Sequence, residues 1–173
     1  IDEILNAGLI IQKSKSKFLK IKKKIEIKNN GKLMSISPNK SNDLEVSLKL
    51  NYKNKIIGNQ DFRYIHSNSH YLKIYDCRTF CLQEDLEKIF AMGLGKGGSL
   101  DNAIIVSGEK VLNQDGLRYK DEFVRHKVLD CVGDLYLSGY KIIGKIYGYQ
   151  SGHEMTAMLL KEIFKKKSNY EII

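Results

Sequence analysis

The run Asp121-Glu122-Phe123-Val124-Arg125-His126-Lys127-Val128-Leu129-Asp130-Cys131-Val132-Gly133-Asp134 sets an imidazole and two carboxylates at four-residue spacing. On an α-helix, residues i and i+4 stack one turn apart, so His126, Asp130 and Asp134 share a row. Phe123, Val128, Cys131, Val132 and Leu135 fall on another face, as a stripe that packs on a core. Zinc accepts both neutral imidazole and carboxylate, so His126 and Asp130 could reach one ion. The plain alternative is an amphipathic helix in which those two form a solvated pair, and His-x-x-x-Asp alone does not exclude it.

Working outward, the pattern extends this helix from about Lys120 to Ser138 and places a second from about Gly152 to Lys166, with a strand from Tyr140 to Tyr149 between them. Upstream, Phe18 to Lys28, Lys32 to Ser37 and Asp43 to Tyr52 alternate polar with apolar or β-branched residues, the mark of half-buried strands. Asn29-Asn30-Gly31 and Pro38-Asn39-Lys40-Ser41-Asn42 read as the turns between them. A further strand is expected over Asp61 to His66. A short helix is expected over Ser69 to Asp76, where Tyr71, Ile74 and Tyr75 share a face. Leu82, Leu86, Ile89 and Phe90 predict another that ends at Gly93. Ala103 to Val106 and Glu109 to Leu112 look like strands. The sum is an α+β two-layer sandwich, a mainly antiparallel sheet with two long helices on one face.

Composition bounds the class without deciding it. The chain has 173 residues, enough for one domain with a core, and a net charge of +9 that comes mostly from 25 lysines against 4 arginines. Lysines spread along the whole chain describe a solvated basic surface better than an Arg-rich, aromatic-lined nucleic-acid groove. Cys77, Cys81 and Cys131 lack zinc-ribbon spacing and suggest reduced thiols in a cytoplasmic protein. No apolar run is long enough for a membrane span, and a monomer is expected.

Six words occur in order: Arg78-Thr79-Phe80, Gly97-Gly98-Ser99-Leu100-Asp101-Asn102-Ala103, Val111-Leu112-Asn113, Asp115-Gly116-Leu117-Arg118, the helix quoted above, and Ser151-Gly152-His153. Together they closely resemble the second half of the bacterial UDP-3-O-acyl-N-acetylglucosamine deacetylases, zinc amidases of lipid A biosynthesis. The resemblance runs from about Ala7 to about Phe164 and is dense after Arg78. It implies that residues 1–16 end an interdomain linker and that 17–173 form a carboxy-terminal catalytic domain. It also implies an amino-terminal domain, outside this sequence, that brings a His-Glu pair: the third zinc ligand and the general base. His66 and His70 are read as peripheral rather than as substitutes.

The likeness also implies roles. His126 and Asp130 are two zinc ligands, and His153 is the imidazole that stabilises the oxyanion or protonates the departing amine. Asp134 orients His153 and fixes its tautomer. The Thr79 hydroxyl donates to the oxyanion. Lys127, expected to point off the zinc row, and Lys32 contact the nucleotide-sugar, with Phe80 beside them. A small β-α-β insert at about 81–112 forms a hydrophobic passage for the acyl chain of the acylated UDP-N-acetylglucosamine substrate, lined by Leu82, Leu86, Phe90, Leu100, Ala103 and Ile105. Two positions depart from the family. Lys49-Leu50-Asn51-Tyr52-Lys53 replaces a word whose Phe stacks on uracil, and Gln150 replaces a lysine serving the pyrophosphate, although an amide can still donate a hydrogen bond. The rival readings are a basic α+β nucleic-acid-binding module and a remnant domain that has lost its chemistry. The first lacks an RNP or Gly-x-x-Gly word, and retention of His126, Asp130, Asp134, His153 and Thr79 together argues against the second.

Overall fold

The computed structural model describes residues 2–8, 10–66 and 73–173. A short exposed helix α1 (Asp2–Asn6) precedes β1 (Phe18–Ile21), β2 (Ile25–Asn29), β3 (Lys32–Ser37), β4 (Leu44–Asn51) and β5 (Asn59–Ile65). Then come β6 (Thr79–Leu82), α2 (Leu86–Ala91), β7 (Ala103–Ser107), β8 (Lys110–Val111), α3 (Glu122–Leu135), β9 (Lys141–Tyr149), α4 (His153–Phe164) and β10 (Tyr170–Ile172).

β9 is the spine of a seven-stranded sheet. It runs parallel to β1 and β4 and antiparallel to β3, while β2 pairs β3, β5 pairs β4 and β10 pairs β1, all antiparallel. The sheet is therefore mixed with an antiparallel majority. Its strands alternate as the sequence does: Leu44, Val46, Leu48 and Leu50 of β4 are buried while the residues between them are not. Phe123, Val124, Val128, Cys131, Val132 and Leu135 of α3 and Met155, Leu159, Leu160 and Ile163 of α4 join them in one core. Both helices pack on the sheet and on each other, giving the two-layer sandwich.

The structure departs from the sequence pattern in four places. The strand expected over Phe18 to Lys28 breaks at Lys22-Lys23-Lys24, because its first part pairs with β9 and β10 and its second with β3. β6 and β10 are strands that the pattern did not reveal; each is short, and β10 forms only by pairing with β1. The strand expected over Glu109 to Leu112 shrinks to Lys110–Val111. Of the helix expected over Ser69 to Asp76, residues 69–72 lie outside the described residues, as does His70. Lys73 is in a 3-10 helix and residues 74–76 form a turn, with the Cys77 N–H donating to the Ile74 carbonyl at 3.2 Å. The helix expected to end at Gly93 does so, with the glycine at φ +73° donating to the Phe90 carbonyl.

β6, α2 and β7 form a parallel β-α-β crossover, which β8 extends into a separate three-stranded sheet. Among the described residues no helix is long and apolar enough to cross a membrane, and all three cysteines are free thiols.

Candidate functional site

Helix α3 supplies the centre of the site. Its entry is fixed by Gln60 of β5, whose Oε1 accepts from the Val124 N–H at 3.2 Å and whose Nε2 donates to the Lys120 carbonyl at 3.3 Å. The first bond satisfies an N–H that a helix start leaves unpaired, and the second ties the approach to the helix to β5. Phe123 and Val128, both fully buried, then set the helix rotation so that the His126 row faces the rim.

The row makes a continuous chain of contacts. His126 Nδ1 lies 3.0 Å from the Cys77 carbonyl oxygen, and its Nε2 lies 3.3 Å from Asp130 Oδ1. Asp130 Oδ2 is 3.8 Å from His153 Nε2, and His153 Nδ1 is 2.8 Å from Asp134 Oδ2. His126, Asp130 and Asp134 are largely buried, whereas His153, at the first position of α4, has a side chain 66% exposed. The Ser151-Gly152 approach to α4 is tight. A Cβ on Gly148 of β9 would lie 2.5 Å from Ser151 Oγ and 2.6 Å from Leu48 Cδ2, so only glycine lets this turn close over the strand.

The tautomer of His126 follows from its partners. A carbonyl oxygen only accepts, so Nδ1 must carry the proton. Burial, the largest influence, pushes the His126 pKa below the ordinary value of 6.5 and outweighs the opposing pull of Asp130 and of the Cys77 bond. The ring is then neutral, and the bare lone pair of Nε2 faces a carboxylate oxygen at 3.3 Å. Two acceptors in that arrangement repel unless a cation lies between them. Two ligands of one tetrahedral zinc, with bonds of roughly 2.0–2.1 Å, stand roughly 3.3–3.4 Å apart. The donor set of His126 and Asp130 therefore fits a zinc ion in chemistry and in spacing. Among the described residues no group of three or more His, Cys, Asp or Glu could hold a metal, so an ion held by this pair would take its other positions from water or from residues elsewhere.

Lys127 differs from its expected place. Although its Cα leaves the row, its long stem brings Nζ to 3.1 Å from Asp130 Oδ2 and 5.4 Å from the centre of the Phe80 ring. The lysine thus lies over the site, held by a carboxylate and an aromatic face. Phe80 packs edge-on against Phe123 at 4.8 Å and Tyr52 at 6.0 Å, so it serves as a wall. Lys32 of β3 reaches Glu154 at 3.8 Å, and since Glu154 follows His153 the lysine lies beside the start of α4.

Thr79 lines two hollows. One, of about 370 Å³, it shares with His126, Asp76, Asn102 and Arg118. The other is an apolar cavity of about 360 Å³ inside the β-α-β unit, lined by Leu86, Ile89, Phe90, Leu100, Ala103 and Ile105 among others. Of the six residues expected along a passage, Leu82 is the exception. It packs against the main core, whereas Thr79 and Cys81 line the cavity and Phe80, two positions before Leu82, touches both.

The two departures from the family pattern are structural. Leu50 is buried in the core, and Gln150, at φ +51°, spends its side chain on β4: Oε1 accepts from the Asn51 N–H at 3.0 Å and Nε2 donates to the Asn51 carbonyl at 2.6 Å. The amide expected to donate to a phosphate is engaged in extending the sheet. Sequence reading also missed Cys77, whose carbonyl decides the His126 tautomer. It missed Glu122 as well, although four-residue spacing back from His126 places Glu122 on the same row.

The site is thus a row of helix-borne imidazole and carboxylate groups beside an apolar cavity in an α+β sandwich. A family model described as UDP-3-O-acyl N-acetylglycosamine deacetylase matches residues 1–165. A UDP-3-O-acyl-N-acetylglucosamine deacetylase from Campylobacter jejuni subsp. doylei is 38% identical over 168 residues, covering 96% of this chain and 56% of the relative. Proteins of the same name from Campylobacter lari and Hahella chejuensis are 40% identical over 159 residues and 37% over 173, covering 91% and 98% of this chain and 53% and 57% of the relatives. The chain belongs to the UDP-3-O-acyl N-acetylglycosamine deacetylase family. It spans about half the length of the curated relatives it matches.

Proposed function

We propose that this chain carries the carboxy-terminal half of a zinc-dependent amidase that removes the acetyl group from an acylated UDP-N-acetylglucosamine, in the cytoplasm, on the route to lipid A. The observation that carries the reading is the His126–Asp130 pair: an imidazole Nε2 and a carboxylate oxygen 3.3 Å apart on one helix face, the spacing of two ligands of a single ion.

His126 Nε2 and Asp130 would hold the zinc, which when bound polarises the acetamide carbonyl and activates a water. The remaining work falls to side chains. Asp134 holds the His153 ring through Nδ1 at 2.8 Å, which turns Nε2 toward the Asp130 side of the site. From there His153 stabilises the oxyanion or gives a proton to the amine as the C–N bond breaks. Thr79, between the His126 hollow and the apolar cavity, donates its hydroxyl to the developing oxyanion. Leu86, Phe90, Leu100, Ala103 and Ile105 shield the acyl chain from water. Lys127 and Lys32 are the cations placed for the diphosphate end, each already beside a carboxylate that orients it.

The third ligand and the general base belong to the half of the relatives that this stretch does not match. Residues 1–173 alone should therefore bind zinc weakly and turn over no substrate, and adding the amino-terminal half of a Campylobacter relative should restore both. Appreciable hydrolysis by residues 1–173 alone would refute this division of labour.

A further inference from the structure

The row that holds the candidate ligands begins one turn earlier than His126. Glu122 is fully buried, and Arg78, which stands against it, is nearly so. The carboxylate accepts four hydrogen bonds: Oε1 from the Arg78 backbone N–H and Nε, both at 3.0 Å, and Oε2 from Arg78 Nη2 at 3.2 Å and the Arg118 backbone N–H at 2.6 Å. Burial by itself would raise the Glu122 pKa, but the bonds from Arg78 and Arg118 outweigh it and hold the carboxyl below the ordinary 4.5. Arg78 spends its outer nitrogens on Asp115 and on the Gly116 carbonyl, so the ion pair is locked from both sides. Truncating one partner of such a pair leaves a buried charge uncompensated.

The backbone bond matters most. The Arg78 N–H that donates to Glu122 and the Cys77 carbonyl that accepts from His126 belong to a single peptide group. In a trans peptide the N–H and C=O bonds point in opposite directions while their dipoles align, so one amide spans positions i and i+4 of α3. A carboxylate on the N–H end polarises the amide and strengthens the acceptor at its other end, as chained hydrogen bonds do.

We infer that Glu122 acts on His126 through the Cys77–Arg78 peptide, a relay that fixes the proton on Nδ1 and aims Nε2 at Asp130. Glu122 and its counter-ion Arg78 are then positioning residues. Thr79 follows the clamped peptide directly, so the same grip sets the strand that presents the oxyanion donor. The tautomer control stands on the hydrogen bonds alone, whereas its consequence for metal affinity rests on His126 being a ligand.

The test is the imidazole nitrogen NMR spectrum of His126 in this chain above neutral pH, read beside a zinc titration. Wild type should show protonated Nδ1 and bare Nε2; the reverse tautomer overturns the relay. In Glu122→Gln the bias should weaken and zinc affinity fall about tenfold or more, while Asp115→Asn, which touches only the outer end of Arg78, should leave both within about twofold. A folded Glu122→Gln with an unchanged tautomer overturns the relay, whether or not His126→Ala abolishes zinc binding. A lost bias with unchanged zinc affinity supports the relay and removes His126 from the metal. Should Glu122→Gln not fold, Arg78→Lys keeps the backbone N–H and a cation but loosens the grip on the carboxylate. The amide proton at position 78 and the His126 Nδ1 signal should then move together, and movement of only one overturns the relay.

Discussion

The polar row on α3 and the apolar cavity of the β6-α2-β7 unit line neighbouring parts of one site and are built on opposite principles. In the row every side chain is held by a named partner at 2.8 to 3.8 Å, on a helix whose core face is buried. In the cavity the wall includes Phe90 and Leu100, which are 56% and 46% exposed, on a short helix and a glycine-punctuated loop. Rigid polar geometry suits the step in which charge develops, since preorganised groups cost no reorganisation there. A loosely packed apolar wall suits a chain of methylenes, which needs only to be kept from water.

That contrast orders the expected effects. In the reconstituted enzyme, His153→Ala should lower turnover by about two orders of magnitude or more with little change in KM. Asp134→Asn should cost about ten- to a hundredfold, because an amide still orients the ring but lacks the charge that meets an imidazolium. A wall substitution should behave differently. Ala103→Leu narrows the cavity beside Thr79 and should raise KM for long-chain substrates about tenfold while sparing short ones. If it instead lowered turnover equally for all chain lengths, the cavity would not be the acyl site.

What the sequence disclosed follows the same division. Spacing on a long helix is a rigid ruler, so the row His126, Asp130 and Asp134 could be read before any coordinates, as could the strands β3, β4 and β9 with their clear alternation. The apolar positions of the insert could not be assigned this way, because Leu82 on the core and Leu86 on the cavity wall look alike in a sequence. Partners distant along the chain were also illegible: β10 exists only through its pairing with β1, and Cys77 meets His126 across 49 residues. Lys127 was misplaced because a helical wheel follows Cα positions and ignores the reach of a lysine stem.

The smallest effect concerns pH. The folded state holds Glu122 below the ordinary 4.5, so the stability it contributes is fully present above 4.5 and is lost as pH falls through its lower folded value. Melting temperature against pH should therefore drop on the acid side of 4.5 in the wild type, and more shallowly in Glu122→Gln. Equal slopes would mean that the buried pair is not linked to acid unfolding.

The central claim is that metal and proton chemistry are divided between His126 with Asp130 and His153 with Asp134. The most direct measurement is bound zinc per molecule in the reconstituted enzyme, compared across His126→Ala, Asp130→Ala and His153→Ala. The account predicts that the first two lose the metal and that the third keeps it while losing turnover. Release of zinc by His153→Ala, or its retention in His126→Ala, would contradict that division.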